Sequence, residues 1–116
     1  MNTESIRKFC KTLPHVTEDI KWGNDLCFLI AGKMFAVACL DRTSSHKLAF
    51  KCTPEKFSEL IEHDGIIPAP YMARNQWVMM ERFDALRDGD IKELVQNSYT
   101  LVKSKLPKKL QSQLDR

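Results

Sequence analysis

Side chains able to do chemistry are most concentrated at residues 68–78, which read PAPYMARNQWV. Tyr71 and Trp77 offer aromatic faces for stacking, and Arg74 and Asn75 each offer several hydrogen-bond donors. Proline cannot donate to a β-ladder and restricts the residue before it, so the segment is predicted to be an ordered loop that runs into a strand. Because such loops often carry binding residues, this segment is the first candidate for a functional surface.

Basic residues supply the second candidate feature. Lys47 and Lys51 are predicted on the solvent side of a strand, where Arg74 and Trp77 would join them to bind phosphate and stack a base. Residues 103–116 carry five basic groups and one acidic group, which leaves 18 − 5 = 13 basic and 15 − 1 = 14 acidic residues elsewhere. The positive excess therefore lies in the tail, and four of its cations extend the candidate nucleic-acid surface: Lys103, Lys105, Lys108 and Lys109.

Each of these candidates has a plainer structural explanation. Strand lysines guard a sheet against edge pairing, and cations near a helix C-terminus offset the negative end of its dipole. Trp77 is favoured as a core or half-core anchor over a stacking platform. Arg74 and Asn75 are equally suited to binding a ligand and to closing their own loop through its carbonyl groups.

Nothing in the sequence indicates catalysis or a bound cofactor. The three histidines lie far apart, at His15, His46 and His63, and none accompanies a nucleophile motif such as Gly-x-Ser-x-Gly. Gly-x-Gly-x-x-Gly and phosphate-loop patterns are also missing. We therefore expect a protein that is not an enzyme and that needs no cofactor.

The cysteines predict neither a metal site nor a disulfide. Cys10, Cys27, Cys39 and Cys52 are widely spaced, with no Cys-x-x-Cys pair, and each lies in an apolar segment. Reduced, buried thiols fit a cytoplasmic protein. The longest apolar run, residues 26–31, is too short to cross a membrane, and the first residues lack a secretory pattern, so we expect no membrane association.

The elements that must position these side chains follow from periodicity. A helical spacing of apolar residues runs from Thr3 to Pro14. A second helix begins with Thr53 and proline at its first position and stops at Gly65, and a third begins at an acidic capping box, Asp90 with Glu93, and reaches about residue 106. A short turn or helix is expected at residues 108–114. Five strands are predicted, at residues 15–22, 26–31, 33–40, 47–52 and 76–83.

That order of elements indicates an α+β fold: one domain over residues 1–116, an antiparallel sheet with helices packed on one face, and a basic tail from about residue 103. Gly32 is expected to supply a positive φ between two strands. In the strand at 47–52 the alternation turns three residues toward the core, Leu48, Phe50 and Cys52. It leaves Lys47, Ala49 and Lys51 on a wet face.

Several stretches, taken in order and spacing, resemble the MmcQ/YjbR family of small bacterial proteins. They are IRKFCKTLPHVTE at 6–18, GKMFA at 32–36, LAFKC at 48–52, the loop at 68–78 and SYTLVKSKLPKK at 98–109. The resemblance implies a single YjbR-like domain, similar in layout to the secretion-chaperone-like fold. Members are commonly labelled DNA-binding through a double-wing motif, and many have Lys where this chain has Gln76.

The function expected from these observations is a non-enzymatic binding module with DNA as its first candidate partner. Phosphate attraction by the basic residues and contact from Tyr71 or Trp77 would give weak, salt-dependent and sequence-tolerant binding. The alternative is a protein-interaction module, chaperone-like or self-associating, that docks a partner on an apolar patch.

Overall fold

The computed structural model describes residues 1–115, so Arg116 of the basic tail lies outside the described residues. The helices are α1 (Thr3–Lys11), α2 (Pro54–Leu60), α3 (Asp88–Ser104) and α4 (Lys108–Leu114). The strands are β1 (Val16–Lys21), β2 (Asp25–Ile30), β3 (Lys33–Cys39), β4 (Leu48–Lys51), β5 (Ile66–Pro68) and β6 (Trp77–Met80). Short 3-10 turns lie at Ala73–Asn75 and Phe83–Ala85.

All six strands form one antiparallel sheet in the order β1-β2-β3-β4-β6-β5. The main core lies between this sheet and the helices. It contains Leu48, Phe50 and Cys52 of the β4 segment, as the alternation predicted, together with Ile6 of α1 and Val95 of α3. The predicted α+β architecture, with helices on one face of an antiparallel sheet, is confirmed.

Two tight hairpins bring the first three strands together. Ala31 and Gly32 connect β2 to β3 with φ values of 49° and 80°, which confirms the positive φ expected at Gly32. Between β1 and β2, Trp22 and Gly23 take φ values of 53° and 84°. Trp22 therefore belongs to a turn, and its placement in the first predicted strand was wrong. Ala31 and Gly32 form a two-residue connection with two positive φ values, which is the signature of a type I′ turn. The β1–β2 connection has three residues, because Lys21 pairs with Asp25.

Several predicted boundaries also need correction. The edge strand β5 was missed, because Ile66–Pro68 is three residues long and its proline argues against a strand. At α3, the helix already begins at Asp88 with Arg87 as the N-cap and no side-chain cap, so Asp90 and Glu93 do not form the predicted capping box. In α1 the cap is Asn2, whose side chain accepts from the Ser5 amide at 2.8 Å.

The C-terminal region is folded onto the domain. Leu106 is buried in the main core, and Leu110 and Leu114 of α4 pack against it. The Nε2 atom of Gln111 donates to the Leu106 carbonyl at 2.6 Å and to the Ser104 carbonyl at 3.2 Å, which ties α4 to the end of α3. The predicted basic tail is thus largely a helix fixed in place.

Candidate functional site

The face of the sheet opposite the helices is crossed by a row of apolar side chains. Direct cross-strand pairs link one residue from each of five strands, in the order Cys27, Val37, Ala49, Met79 and Ile67. Directly paired residues point to the same side of a sheet, so the row defines one surface, which we call the helix-free face. An antiparallel sheet usually presents polar side chains on its second face, so this row is unusual.

Part of the helix-free face is covered by the loop at residues 69–76. Trp77 is only 5% exposed and packs in a small second core with Ala49 and Ala69. Partly buried side chains surround that core: Met34, Val37, Met72 and Met79. Trp77 is therefore the anchor that the sequence favoured, and its ring has no free face for a base. Ala49, predicted on a wet face, is buried here because the loop lies over it.

Beside this second core lies a groove of about 670 Å³, the open-face groove. Its apolar lining comes from Val37, Cys39, Ala49, Ala69, Pro70, Met72 and Met79. Its polar lining comes from Asp25, Ser44, His46 and Lys47. Trp22 and Tyr71 also line it. Both aromatic side chains are exposed: Trp22 keeps 70% of its surface, and Tyr71 is fully exposed.

Both aromatic residues hold a backbone that their side chains disfavour. Trp22 has a φ of 53° and Tyr71 a φ of 65°, in the left-handed region that glycine and asparagine adopt most easily. Neither ring gains core packing in return, since both are exposed. Trp22 is the site residue that sequence reasoning missed; the signal for it was the Gly23-Asn24 pair that follows, which favours a turn over a strand.

Lys47 and Lys51 lie on the helix-free face, as predicted, and are held by backbone carbonyl groups. The Nζ atom of Lys47 donates to the Arg42 carbonyl at 2.9 Å, and that of Lys51 donates to the Asn75 carbonyl at 2.7 Å. A carbonyl orients an ammonium group without cancelling its charge. The pKa of Lys51 is lowered, mainly by burial and then by the positive charge of Lys105.

Side-chain ion pairs among residues 1–115 occur away from the groove. They join Arg7 and Lys11 to Glu18, Lys56 to Glu59, Arg82 to Asp64 and Asp84, and Lys103 to Asp115. Lys47, Lys51 and Arg74 take part in none of them. Their charges are therefore available to an anion, whereas Lys103 is paired with Asp115 at 2.7 Å, with its pKa raised first by that hydrogen bond.

The remaining predicted residues are distributed over two regions. Arg74 and Asn75 are exposed on the 3-10 turn between Tyr71 and Trp77. The loop carbonyls are bound by Lys51 and by Gln76, whose Nε2 donates to the Arg74 carbonyl at 3.2 Å. The side chains of Lys51 and Gln76 therefore close the loop, and those of Arg74 and Asn75 do not. Lys108 and Lys109 are exposed at the start of α4 and do not line the groove.

The remaining groups that could do chemistry within residues 1–115 are the cysteines and the potential metal ligands. Within the described part of the chain, no three His, Cys, Asp or Glu side chains converge as a metal site would require. Cys10, Cys27 and Cys52 are buried, as small hydrophobic residues would be. Burial raises the pKa of Cys10 to about 12 and that of Cys52 to about 11, which makes both thiols poor nucleophiles. No helix within residues 1–115 has the length and apolar character to span a membrane.

Comparison with known proteins settles the family. The YjbR family model matches residues 11–101. The chain belongs to the YjbR family. A crystal structure of a Deinococcus radiodurans protein with a DUF419 domain superposes with a TM-score of 0.87 at 23% identity, covering 98% of this chain and 88% of the other.

A Pseudomonas syringae protein from a structural genomics consortium superposes with a TM-score of 0.71 at 19% identity, covering 87% of this chain and 98% of the other. No curated protein shows significant similarity to the chain. At these identities the solved structures establish a shared fold, and that fold is the one expected from the resemblance.

Proposed function

We propose that this YjbR-family chain is a non-enzymatic, cytoplasmic module that binds nucleic acid, with DNA as the first candidate, on its helix-free face. The proposal depends mainly on one observation: Lys47, Lys51 and Arg74 take part in no ion pair among residues 1–115. Lys47 lines the open-face groove with the exposed rings of Trp22 and Tyr71. Arg74 shares a loop with Tyr71, and Lys51 pairs with Trp77 at the end of β4. Unpaired cations beside exposed aromatic rings are what phosphate attraction and base contact require.

The charge distribution sets the expected strength of binding. The face has few cations, Asp25 also lines the groove, and residues 1–102 carry 13 basic and 14 acidic groups. A few phosphate contacts give weak affinity that falls with salt, at a slope of about −0.9 per neutralised phosphate on duplex DNA and about −0.7 on single strands. We expect micromolar binding at low salt with little sequence preference.

Titration of fluorescently labelled DNA at two salt concentrations tests this proposal. Lys47→Glu and Arg74→Glu should each weaken binding several-fold and reduce the salt slope. Lys8→Glu makes the same charge change on an exposed residue of α1, on the helix side of the sheet, and serves as the matched control. If micromolar protein binds no DNA at low salt, or if Lys8→Glu weakens binding as much as Lys47→Glu does, the proposal is wrong.

The apolar row supports a second candidate, a protein-interaction module. Val37, Met79 and Ile67 are each partly exposed on the helix-free face, and apolar surface of this kind often marks a protein contact. Light scattering over a range of concentrations distinguishes the two. A concentration-dependent dimer that Val37→Glu dissociates would favour self-association, whereas a monomer throughout would count against it.

A further inference from the structure

We propose that the open-face groove receives unpaired bases of a single-stranded nucleic acid, with Trp22 and Tyr71 as the stacking rings. This inference depends on the proposed function and specifies its ligand. In a duplex the base faces are already stacked on one another, and the outside presents phosphates and base edges. Only an unstacked base can lay its face against an exposed aromatic ring.

The composition of the groove matches a base better than a phosphate. Its floor is formed by Val37, Ala49 and Met79, which suit the face of a base and give no partner to a phosphate oxygen. Within the lining, Lys47 is the cation and Asp25 the carboxylate. The charges that would meet a backbone are on Lys51, at the end of β4, and on Arg74, in the 3-10 turn of the loop. A base in the groove with phosphates toward these two residues satisfies both.

The backbone at the two rings is an independent reason to assign them a binding role. Asparagine or glycine would hold φ values of 53° and 65° at lower cost than tryptophan or tyrosine. Exposed rings that pack little and sit on a strained backbone contribute little to stability. Left-handed φ values also occur at His15, Ala31 and Gln76. Trp22 and Tyr71 differ from these three residues because their large aromatic rings are exposed and also line the groove, and strained residues cluster where ligands bind.

The number of available cations also favours a single strand. Duplex binders commonly make six to ten phosphate contacts, that is, roughly 6–10 neutralised charges. The cations on the helix-free face that the proposed function uses are Lys47, Lys51 and Arg74. Three charges suit a short single strand, where stacking supplies binding that charge does not.

Tryptophan fluorescence provides a direct measurement, because the two tryptophans differ. Trp22 is exposed and Trp77 is buried, so a base stacking on Trp22 quenches the exposed emitter and leaves the buried one unchanged. We would titrate the chain with oligothymidine and oligouridine of about 12 nucleotides, within the roughly 4–16 that single-strand modules cover, and with a duplex of equal length. Quenching by a single strand at lower concentration than by the duplex is expected.

Asparagine tolerates a left-handed φ, so replacing each ring with asparagine tests the contribution of the ring to binding without straining the backbone. Trp22→Asn and Tyr71→Asn remove one ring each and suit the left-handed φ, so both should fold, and each should weaken single-strand binding on the order of tenfold. His15→Asn makes the same replacement at a φ of 64°, at the opposite end of β1 from Trp22, and should leave binding unchanged. Thermal unfolding of every variant checks that the fold persists.

The possible outcomes distinguish this inference from the proposed nucleic-acid binding on which it depends. Equal binding of single strand and duplex, weakened by Lys47→Glu but not by Tyr71→Asn, would overturn the inference and leave nucleic-acid binding standing. No binding of any oligonucleotide would overturn both. A dimer formed through the groove, dissociated by Val37→Glu and unaffected by oligonucleotide, would show that the groove serves a second copy of this chain and would also overturn the inference.

Discussion

Lys51 and Asn75 are joined by a 2.7 Å hydrogen bond from the Nζ atom to the backbone carbonyl oxygen, across 24 residues of sequence. This bond links β4 to the loop that carries Tyr71 and Arg74. The same lysine was predicted from sequence to be a phosphate ligand. In the structure it also fixes the segment that presents the other candidate ligands, so its charge and its loop contact belong to one surface.

Removing this contact should loosen the loop more than it destabilises the domain. We predict that Lys51→Ala lowers the free energy of unfolding by about 1 kcal/mol, the size of a typical net hydrogen bond. Amide hydrogen exchange should accelerate at residues 72–76 and remain slow in β2 and β3. Lys47→Ala is the control, because its Nζ bonds the Arg42 carbonyl in a different loop. Unchanged exchange at 72–76 in Lys51→Ala would contradict the account.

A buried hydroxyl on α3 bridges β3 and β4 just beyond the Ala36–Phe50 pair, where their ladder ends. Ser98 Oγ donates to the Phe35 carbonyl at 2.6 Å and accepts from the Lys51 amide at 3.0 Å, in a position with no solvent exposure. Ser98→Ala leaves two strand groups without a partner, and we predict a loss of roughly 2–6 kcal/mol at about 1–3 kcal/mol per unsatisfied group. Ser104→Ala removes an exposed hydroxyl from the same helix and should cost under about 0.5 kcal/mol. Urea unfolding gives both values; equal losses would refute the assignment.

The ion pair between Arg7 of α1 and Glu18 of β1 should make the stability of the domain depend on pH. Arg7 Nη2 lies 2.6 Å from Glu18 Oε1, and this hydrogen bond is the largest influence on the pKa of Glu18, which stays below its ordinary value of 4.5 although burial opposes the change. The unfolded chain therefore takes up this proton at higher pH than the native chain does. The stabilisation is fully present above pH 4.5 and is lost as pH falls through the native pKa.

Glu18→Gln should accordingly be less stable than the wild type at neutral pH, and the difference should shrink toward zero in strong acid. Chemical denaturation at neutral pH and in strong acid measures this difference in the free energy of unfolding. Glu62→Gln is the control, since Glu62 is exposed and takes part in none of the side-chain ion pairs of residues 1–115. A Glu18→Gln deficit that is independent of pH would contradict the assignment.

Replacing Trp22 with a residue that adopts a positive φ more easily should stabilise the β1–β2 hairpin. Asparagine holds the left-handed φ of 53° at this position at lower cost than tryptophan, so we predict that Trp22→Asn raises the melting temperature, with a gain of up to about 1 kcal/mol. Ile20→Asn also replaces an exposed apolar residue, but within β1, and should not raise stability because asparagine is poor in strands. Differential scanning calorimetry compares the two. Destabilisation by Trp22→Asn would mean that the ring contributes to folding.

Strong local signals made much of the fold predictable. The alternation at residues 47–52 placed Leu48 and Phe50 in the core, and the Thr53 cap started α2 correctly, with its hydroxyl accepting from the Lys56 amide at 3.2 Å. Where the signal is short, prediction failed. Ile66–Pro68 is too brief for a period to emerge, and its strand exists because Ile67 pairs with Met79, a partner that is remote in sequence.

The candidate site was only half predictable for the same reason. Residues 68–78 were recognised because several polar and aromatic types are adjacent there. Trp22 was not, because its proximity to Tyr71 arises from the sheet order, which no local pattern reveals. Likewise, sequence shows that Lys103 and Lys51 are both cations, but only the fold pairs Lys103 with Asp115 and, among residues 1–115, leaves Lys51 outside every side-chain ion pair.

Backbone amide chemical shifts, followed while unlabelled oligothymidine is added, test most directly whether the helix-free face binds nucleic acid. The account predicts that shifts concentrate at Trp22, Lys47 and residues 69–76, grow with oligonucleotide and diminish with salt, while α1 and α2 stay unchanged. Shifts confined to the helices, or none at saturating oligonucleotide in low salt, would contradict it.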